Sequence, residues 1–257
     1  MNMDLSDMLN NWEYNPDENI RIIKGSDGNR KLQIRIPLGI EQYELSGRPD
    51  GKKPHDFNSY LDYIKNRISS ENNTRISDND FAELQEEGLM IYNRYISLFQ
   101  IGEFELTERD TSHNLELCDI VEKYGSDMES RDLLLQYRPY ILHINALSKY
   151  MTALSQEDLV DAERILDEAI SSIENMKPVD TPIYKLEVRR SLMNLRKAKE
   201  KLGSEDTSDL PMFGAMRPLP SEGGDRAFAI HRSRDGSLHD CRVAAAQRSG
   251  FYRLPRR

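Results

Sequence analysis

Cysteine is almost missing from this chain of 257 residues, where Cys118 and Cys241 are the only two. Two thiols cannot staple a polypeptide of this length, which excludes a disulfide scaffold. Tryptophan occurs once, as Trp12, and aromatic residues make up 8% of the chain. No run approaches the roughly 18 apolar residues of a membrane span. The opening, Met1-Asn2-Met3-Asp4-Leu5-Ser6-Asp7, has neither the basic nor the apolar region of a signal peptide, so a cytoplasmic protein without membrane association is expected. Walker, GxGxxG, GxSxG and HExxH motifs are absent, and with them the usual phosphate-cradling, nucleophile-elbow and zinc-helix chemistries. No Cys-x2-Cys or His-x3-His pair occurs among the two cysteines and five histidines. Neither a metal site nor a cofactor is therefore expected.

Charged residues are what the chain does have, at 31% against 38% hydrophobic. Globular averages are about 25% and about 45–50%, so this is a polar, surface-rich protein still above the disordered range. The net charge is −9, and its distribution is uneven. From Pro211 onward nine arginines and no lysine face four acids, a surplus of +5, which leaves −14 for residues 1–210. An acidic body repels phosphate backbones, so nucleic-acid binding is expected only through the basic end. Residues 204–257 read either as an arginine-rich arm for RNA or an acidic partner, or as a disordered end or stretch foreign to the gene. Apolar periodicity is lost there beyond Val243-Ala244-Ala245-Ala246, and such ends are usually just solvated.

Residues 1–70 read as a β-hairpin module followed by a first helix. Trp12 and Tyr14 are expected to anchor a loose lead onto something apolar. Ile20–Lys24 reads as a strand, and Gly25-Ser26-Asp27-Gly28-Asn29 supplies hairpin-turn chemistry. Leu32, Ile34, Ile36, Leu38 and Ile40 alternate with Gln33 and Arg35, predicting a half-buried strand that Pro37 bends or confines to an edge. Ser46–Phe57 holds two glycines and two prolines, a rigid exposed turn. Asp56 is placed to cap the helix carrying Phe57, Tyr60, Leu61, Ile64 and Ile68.

Residues 77–203 read as an array of helices. Ser77 or Asp78 caps the first, and the second ends at Gly125. A third runs over about 132–154 and is bent or started by Pro139. A fourth opens on Ser155-Gln156-Glu157-Asp158, and a fifth starts at Thr181-Pro182. Shifting the chain by 51 positions lays Thr111, Leu115 and Cys118 on Ala162, Leu166 and Ala169, and Ile91, Ile96 and Phe99 on Leu142, Leu147 and Tyr150. Small residues around a leucine let helices approach closely, as stacked helical hairpins require. Two helix pairs and a final capping helix are therefore predicted, in a mainly α fold preceded by the β-hairpin module.

Ala162-x3-Leu166-x2-Ala169, with Pro178 after it, resembles the second helix of a tetratricopeptide repeat, although the period is longer and no tryptophan begins the unit. The segment Leu32–Leu45, with Gly47-Arg48-Pro49-Asp50-Gly51 and Pro54-His55, is similar to the opening of an uncharacterised bacterial family. Its members join such a segment to tetratricopeptide-like helices and sometimes to a UVR-type hairpin, the motif named after the UvrB and UvrC repair proteins. Val188–Arg196 resembles the second half of that hairpin but lacks the motif's Phe-Glu-Lys-Ala-Ala centre. The resemblance implies helical repeats and carries no activity with it.

The chemistry-bearing residues are few. His143, between Leu142 and Ile144, reads as a packing residue, and Cys118, at a small helix position, reads as a buried structural thiol. Arg48, Asp50, Lys52, His55 and Asp56 form the one loop that combines a guanidinium, carboxylates and an imidazole, a combination able to bind an anion or relay a proton. The simpler alternative is that Asp56 caps a helix and His55 lies exposed. Carboxylate runs such as Glu83, Glu86 and Glu87 read as solvated helix faces. Tyr92, Tyr95, Tyr137, Tyr140 and Tyr150 are candidates to line a groove between helices, although aromatics at helical spacing are mostly core. The expected function is a non-catalytic scaffold that binds a protein or peptide segment in a helical groove. The alternatives are a nucleic-acid or repair accessory factor and an enzyme centred on His55.

Overall fold

A computed structural model describes residues 4–71, 75–125 and 127–202. The arginine-rich end, with Cys241 and the fifth helix's Gly203 stop, lies outside the described residues. The fold is mainly helical, with an N-terminal three-stranded antiparallel sheet.

A short helix, α1 (Ser6–Asn10), leads into β1 (Ile20–Lys24), β2 (Arg30–Ile36) and β3 (Gly39–Glu44), in the order β1-β2-β3. The predicted hairpin is therefore two of three strands. In the first turn the Asn29 amide donates to Asp27 Oδ1 at 3.1 Å, and Gly28 takes a φ of 81°, which glycine allows at no steric cost. β2 is the central strand, pairing Leu32 with Ile22 on one side and Tyr43 on the other. The predicted five-residue apolar face is cut short. Pro37 has no amide to donate to a ladder, β2 ends at Ile36, and Leu38 stands 92% exposed at the turn into β3.

The opposite face of β2 corrects the expectation of a solvated side, because Lys31, Gln33 and Arg35 are all buried. Arg21 donates to Gln33 Oε1 at 2.9 and 2.8 Å, and Gln33 donates onward to Gln42 Oε1 at 2.9 Å. Lys31 pairs with Asp27 and Glu44. Arg35 donates to the Trp12 carbonyl at 2.8 Å, and the Arg21 guanidinium lies 3.8 Å over the Trp12 ring. Trp12 thus anchors the lead through a cation and its own carbonyl instead of through apolar contact.

The helices follow as α2 (Tyr60–Ser70), α3 (Asp78–Gln100), α4 (Phe104–Tyr124), α5 (Met128–Leu135), α6 (Arg138–Ser155), α7 (Leu159–Glu174) and α8 (Pro182–Leu202). Ser77 caps α3 in a reciprocal capping box with Asp80, and Asp158 caps α7 through the Asp161 amide. The predicted third helix is two pieces, α5 and α6, parted at Gln136–Tyr137 just ahead of Pro139. α4 packs on α3 and α6, α6 on α7 and α8, and α7 on α8. Along the chain α3, α4, α6, α7 and α8 thus each pack on the next, with α5 as a short connector.

Thr111, Cys118, Ala162, Leu166 and Ala169 are buried, and Asn145 of α6 donates to Thr111 Oγ1 of α4 at 2.9 Å. One apolar cluster joins α6, α7 and α8 around Tyr150, Leu166 and Leu195. Another seats the sheet on the helices through Leu32, Leu45 and Leu98. No helix among the described residues is long and apolar enough to cross a membrane.

Candidate functional site

The loop between β3 and α2 comes first because it carries the imidazole and the guanidinium. Gly47 takes a φ of 66°, and a Cβ there would meet the Asn58 carbonyl oxygen at 3.2 Å, so the chain turns inward only with glycine. Arg48 follows and is buried, its amide donating to Asn58 O at 2.9 Å. Asp50 accepts from Arg48 Nε and from the Lys52 amide, each at 3.1 Å. Burial would raise the Asp50 carboxyl, but the Lys52 amide and the Arg48 charge outweigh it and hold it below the usual range. Arg48, Asp50 and Lys52 are thus brought together.

His55 and Asp56 are not part of that cluster. Both adopt left-handed backbone, with φ of 49° and 67°, a conformation costly for residues with a Cβ. The His55 ring stacks on Tyr63 at 3.9 Å. Asp56 does not cap α2. That cap is Ser59, whose hydroxyl accepts from the Asp62 amide at 3.0 Å. Ser59 sits one residue before the first helical turn, where a cap must be, whereas Asp56 belongs to a separate 3-10 turn, Pro54–Asp56.

Arg48 instead faces Glu87, at 3.6 Å. Glu87 corrects the reading of a solvated carboxylate run, since it is 0% exposed. Its carboxylate accepts from the Tyr60 and Leu61 amides at 2.6 and 3.1 Å and lies 3.1 Å from His113 Nε2. The free amides of the α2 N-terminus are thereby satisfied by a side chain of α3. Burial raises this carboxyl, and His113 and the α2 amides more than offset it. One helical stretch on, Arg94 forms a two-pronged pair with Asp110 at 2.6 and 2.8 Å. Its remaining nitrogen donates to Glu44 O and Gly47 O at 2.7 and 2.8 Å. Asp80 likewise takes both prongs of Arg67 and the Tyr60 hydroxyl. These groups bind the sheet and loop to the helices, and every charge among them is matched.

The second candidate lies on the side of the array formed by α3, α6 and α8. Tyr95 is buried in the core, packed edge-on against Tyr92 at 5.4 Å between ring centroids, so it does not line a groove. Tyr150 is buried as well. Tyr92, Tyr137 and Tyr140 are half-buried. The Tyr92 and Tyr140 rings are 6.2 Å apart, and His143 lies one turn along α6 from Tyr140, at 6.3 Å. α8 closes this side. Ser191 Oγ donates to the Pro139 carbonyl at 3.2 Å, which sets Glu187, one turn earlier on α8, against the Tyr137–Tyr140 turn.

The electrostatics follow from that juxtaposition. Burial, then Glu187 and Tyr92, pushes the Tyr137 phenol up to about 12. Burial, Tyr92 and Glu187 drive Tyr140 well above its ordinary value. Burial alone lowers His143 to about 4, and its Nε2 has no hydrogen-bond partner. Near neutrality these phenols stay protonated and His143 stays neutral, so they offer hydrogen bonds and aromatic faces. The Cys118 thiol, pushed up to about 12 by burial, is no nucleophile.

No family model matches the chain, and neither the curated proteins nor the solved structures include a match.

Reading charge as surface misses Glu87, Arg94 and Glu187 as buried groups. The signal was present. Asp80, Glu87 and Arg94 recur at a spacing of seven within the stripe of Leu84, Ile91 and Leu98, which places them on the buried face of α3.

Proposed function

We propose that the protein is a non-catalytic scaffold or adaptor that binds a protein segment against the face formed by α3, α6 and α8. The observation that carries this reading is the group of half-buried tyrosines, Tyr92, Tyr137 and Tyr140, gathered from two helices beside a carboxylate from a third. Tyrosine combines large contact area with a polar end and little rotamer entropy, which is why it anchors binding surfaces. The same reading takes the helix hairpins as a tetratricopeptide-like array. The small-leucine-small spacing of α7 and the order of helix pairs fit such an array, whose inner face takes extended or helical ligands.

The test is site-specific photo-crosslinking in cells. A benzoylphenylalanine at position 137 should capture a discrete set of protein segments, and Tyr92→Ala with Tyr140→Ala should abolish capture. The same probe at Val160, exposed on α7, should capture none of them. Equal capture from both positions would overturn the reading.

A further inference from the structure

Glu187 stands apart from the other buried carboxylates of the molecule. Glu87 is met by two amides, His113 and Arg48, Asp110 by Arg94 and Arg109, and Asp80 by Arg67, Tyr60 and Ser77. Glu187 is only 4% exposed. Among the described residues its carboxylate accepts no hydrogen bond, and its one ion partner is Arg190 at 3.8 Å. Arg190 lies on the same helix, is half exposed, and sits beyond hydrogen-bond reach. Burial accordingly lifts the Glu187 carboxyl above its usual range, with Arg190 opposing only in part.

Its oxygens are not sealed from solvent, and a carboxylate this poorly paired and this far desolvated is stabilised by a cation brought to it. The surroundings suit a cation in a second way. Tyr137 and Tyr140 lie within reach of the Glu187 charge, the Tyr92 ring packs 6.2 Å from that of Tyr140, and aromatic faces attract ammonium and guanidinium groups through the ring quadrupole. At longer range the −14 charge of residues 1–210 draws positively charged chains toward the acidic body.

We propose that Glu187, Tyr92, Tyr137 and Tyr140 form a cage for a lysine or arginine side chain of the bound segment. This inference rests on the groove reading above and names the chemistry of its ligand, a basic segment that delivers one cationic side chain to the outer edge of the α6–α8 seam, beside Tyr137 and Tyr140. The cation replaces the distant Arg190 as the partner of Glu187, and its alkyl stem lies against the tyrosine rings.

The experiment is an NMR titration of the full chain with the heptapeptide acetyl-Ala-Ala-Ala-Lys-Ala-Ala-Ala-amide and with its counterpart carrying norleucine in place of lysine. The lysine peptide should shift the ring resonances of Tyr137 and Tyr140 saturably, and the norleucine peptide should bind about tenfold more weakly or worse. Glu187→Gln should weaken the lysine peptide to the same degree while melting no lower than the parent, because an uncompensated charge is removed. Tyr137→Leu, at a half-buried position, tests the aromatic wall independently and should weaken the lysine peptide as well. Equal binding of both peptides, or undiminished lysine binding by Glu187→Gln, would overturn the cage and leave the groove reading standing. So would a lysine peptide that leaves the tyrosines unshifted, since the crosslinking experiment decides the groove separately.

Discussion

His143 gives the cleanest reading of pH at a single residue. In the unfolded chain an imidazole titrates near 6.5, and in the fold burial holds it down to about 4. Between those values the unfolded chain binds more protons than the folded one, so stability falls as the pH drops through that window. Unfolding titrations should lose on the order of 3 kcal/mol from this group between pH 6.5 and pH 4. His143→Leu should flatten that segment of the stability profile and leave the curve above pH 7 largely unchanged. An identical acid slope in the variant would show that other groups carry it. The apolar setting of this histidine was legible in the sequence, because Ile141, Leu142 and Ile144 surround it. The unmatched carboxylate of Glu187 was not, since its condition depends on which side chains of α6 reach across to α8, a matter of packing angle.

The elements are tied together by side chains that bridge them more than by the connections of the chain. Arg94 is the example, holding Asp110 of α4 with two nitrogens and, with a third, the carbonyls of Glu44 at the end of β3 and Gly47 just after it. Arg94→Met should cost about 3–5 kcal/mol in chemical denaturation, because it leaves a buried carboxylate with only the partly exposed Arg109 and removes the side-chain donor from two carbonyls. Arg109→Ala, at a partly exposed partner of the same carboxylate, should cost less than about 1 kcal/mol. Helix boundaries were the legible part of this scale. Ser77, Gly125, Asp158 and Pro182 mark their helix ends by local chemistry that needs no tertiary context. Asp56 misled because an acid near a helix start looks like a cap, while only Ser59 stands at the required residue. The third strand was hidden for a similar reason. Gly39–Glu44 has little apolar alternation, and its pairing with β2 depends on the turn that Pro37 imposes.

For the whole molecule, the described residues fall within a single compact unit, and the buried charges explain why the sheet is no detachable module. Removing residues 1–57 strips Arg94 of the Glu44 and Gly47 carbonyls, Glu87 of Arg48, and Leu98 of Leu32 and Leu45. The truncated chain should therefore lose cooperative thermal unfolding and bind ANS, as checked by calorimetry and dye fluorescence. A sharp transition near that of the parent would show that the helices stand alone. Point substitutions at Tyr92, Tyr137 and Tyr140 are accordingly the sound way to test the proposed groove, since truncation destroys more than it isolates.

The clasp made by Arg94 cannot close during synthesis until the chain has been made through Asp110. The carbonyls it captures emerge from the ribosome some fifty residues before it does, and its own counter-charge, Asp110, follows later still. Until α4 has cleared the exit tunnel, the first hundred residues have no permanent seat for their loop. The amino-terminal half of this protein waits, unfinished, for its middle to be translated.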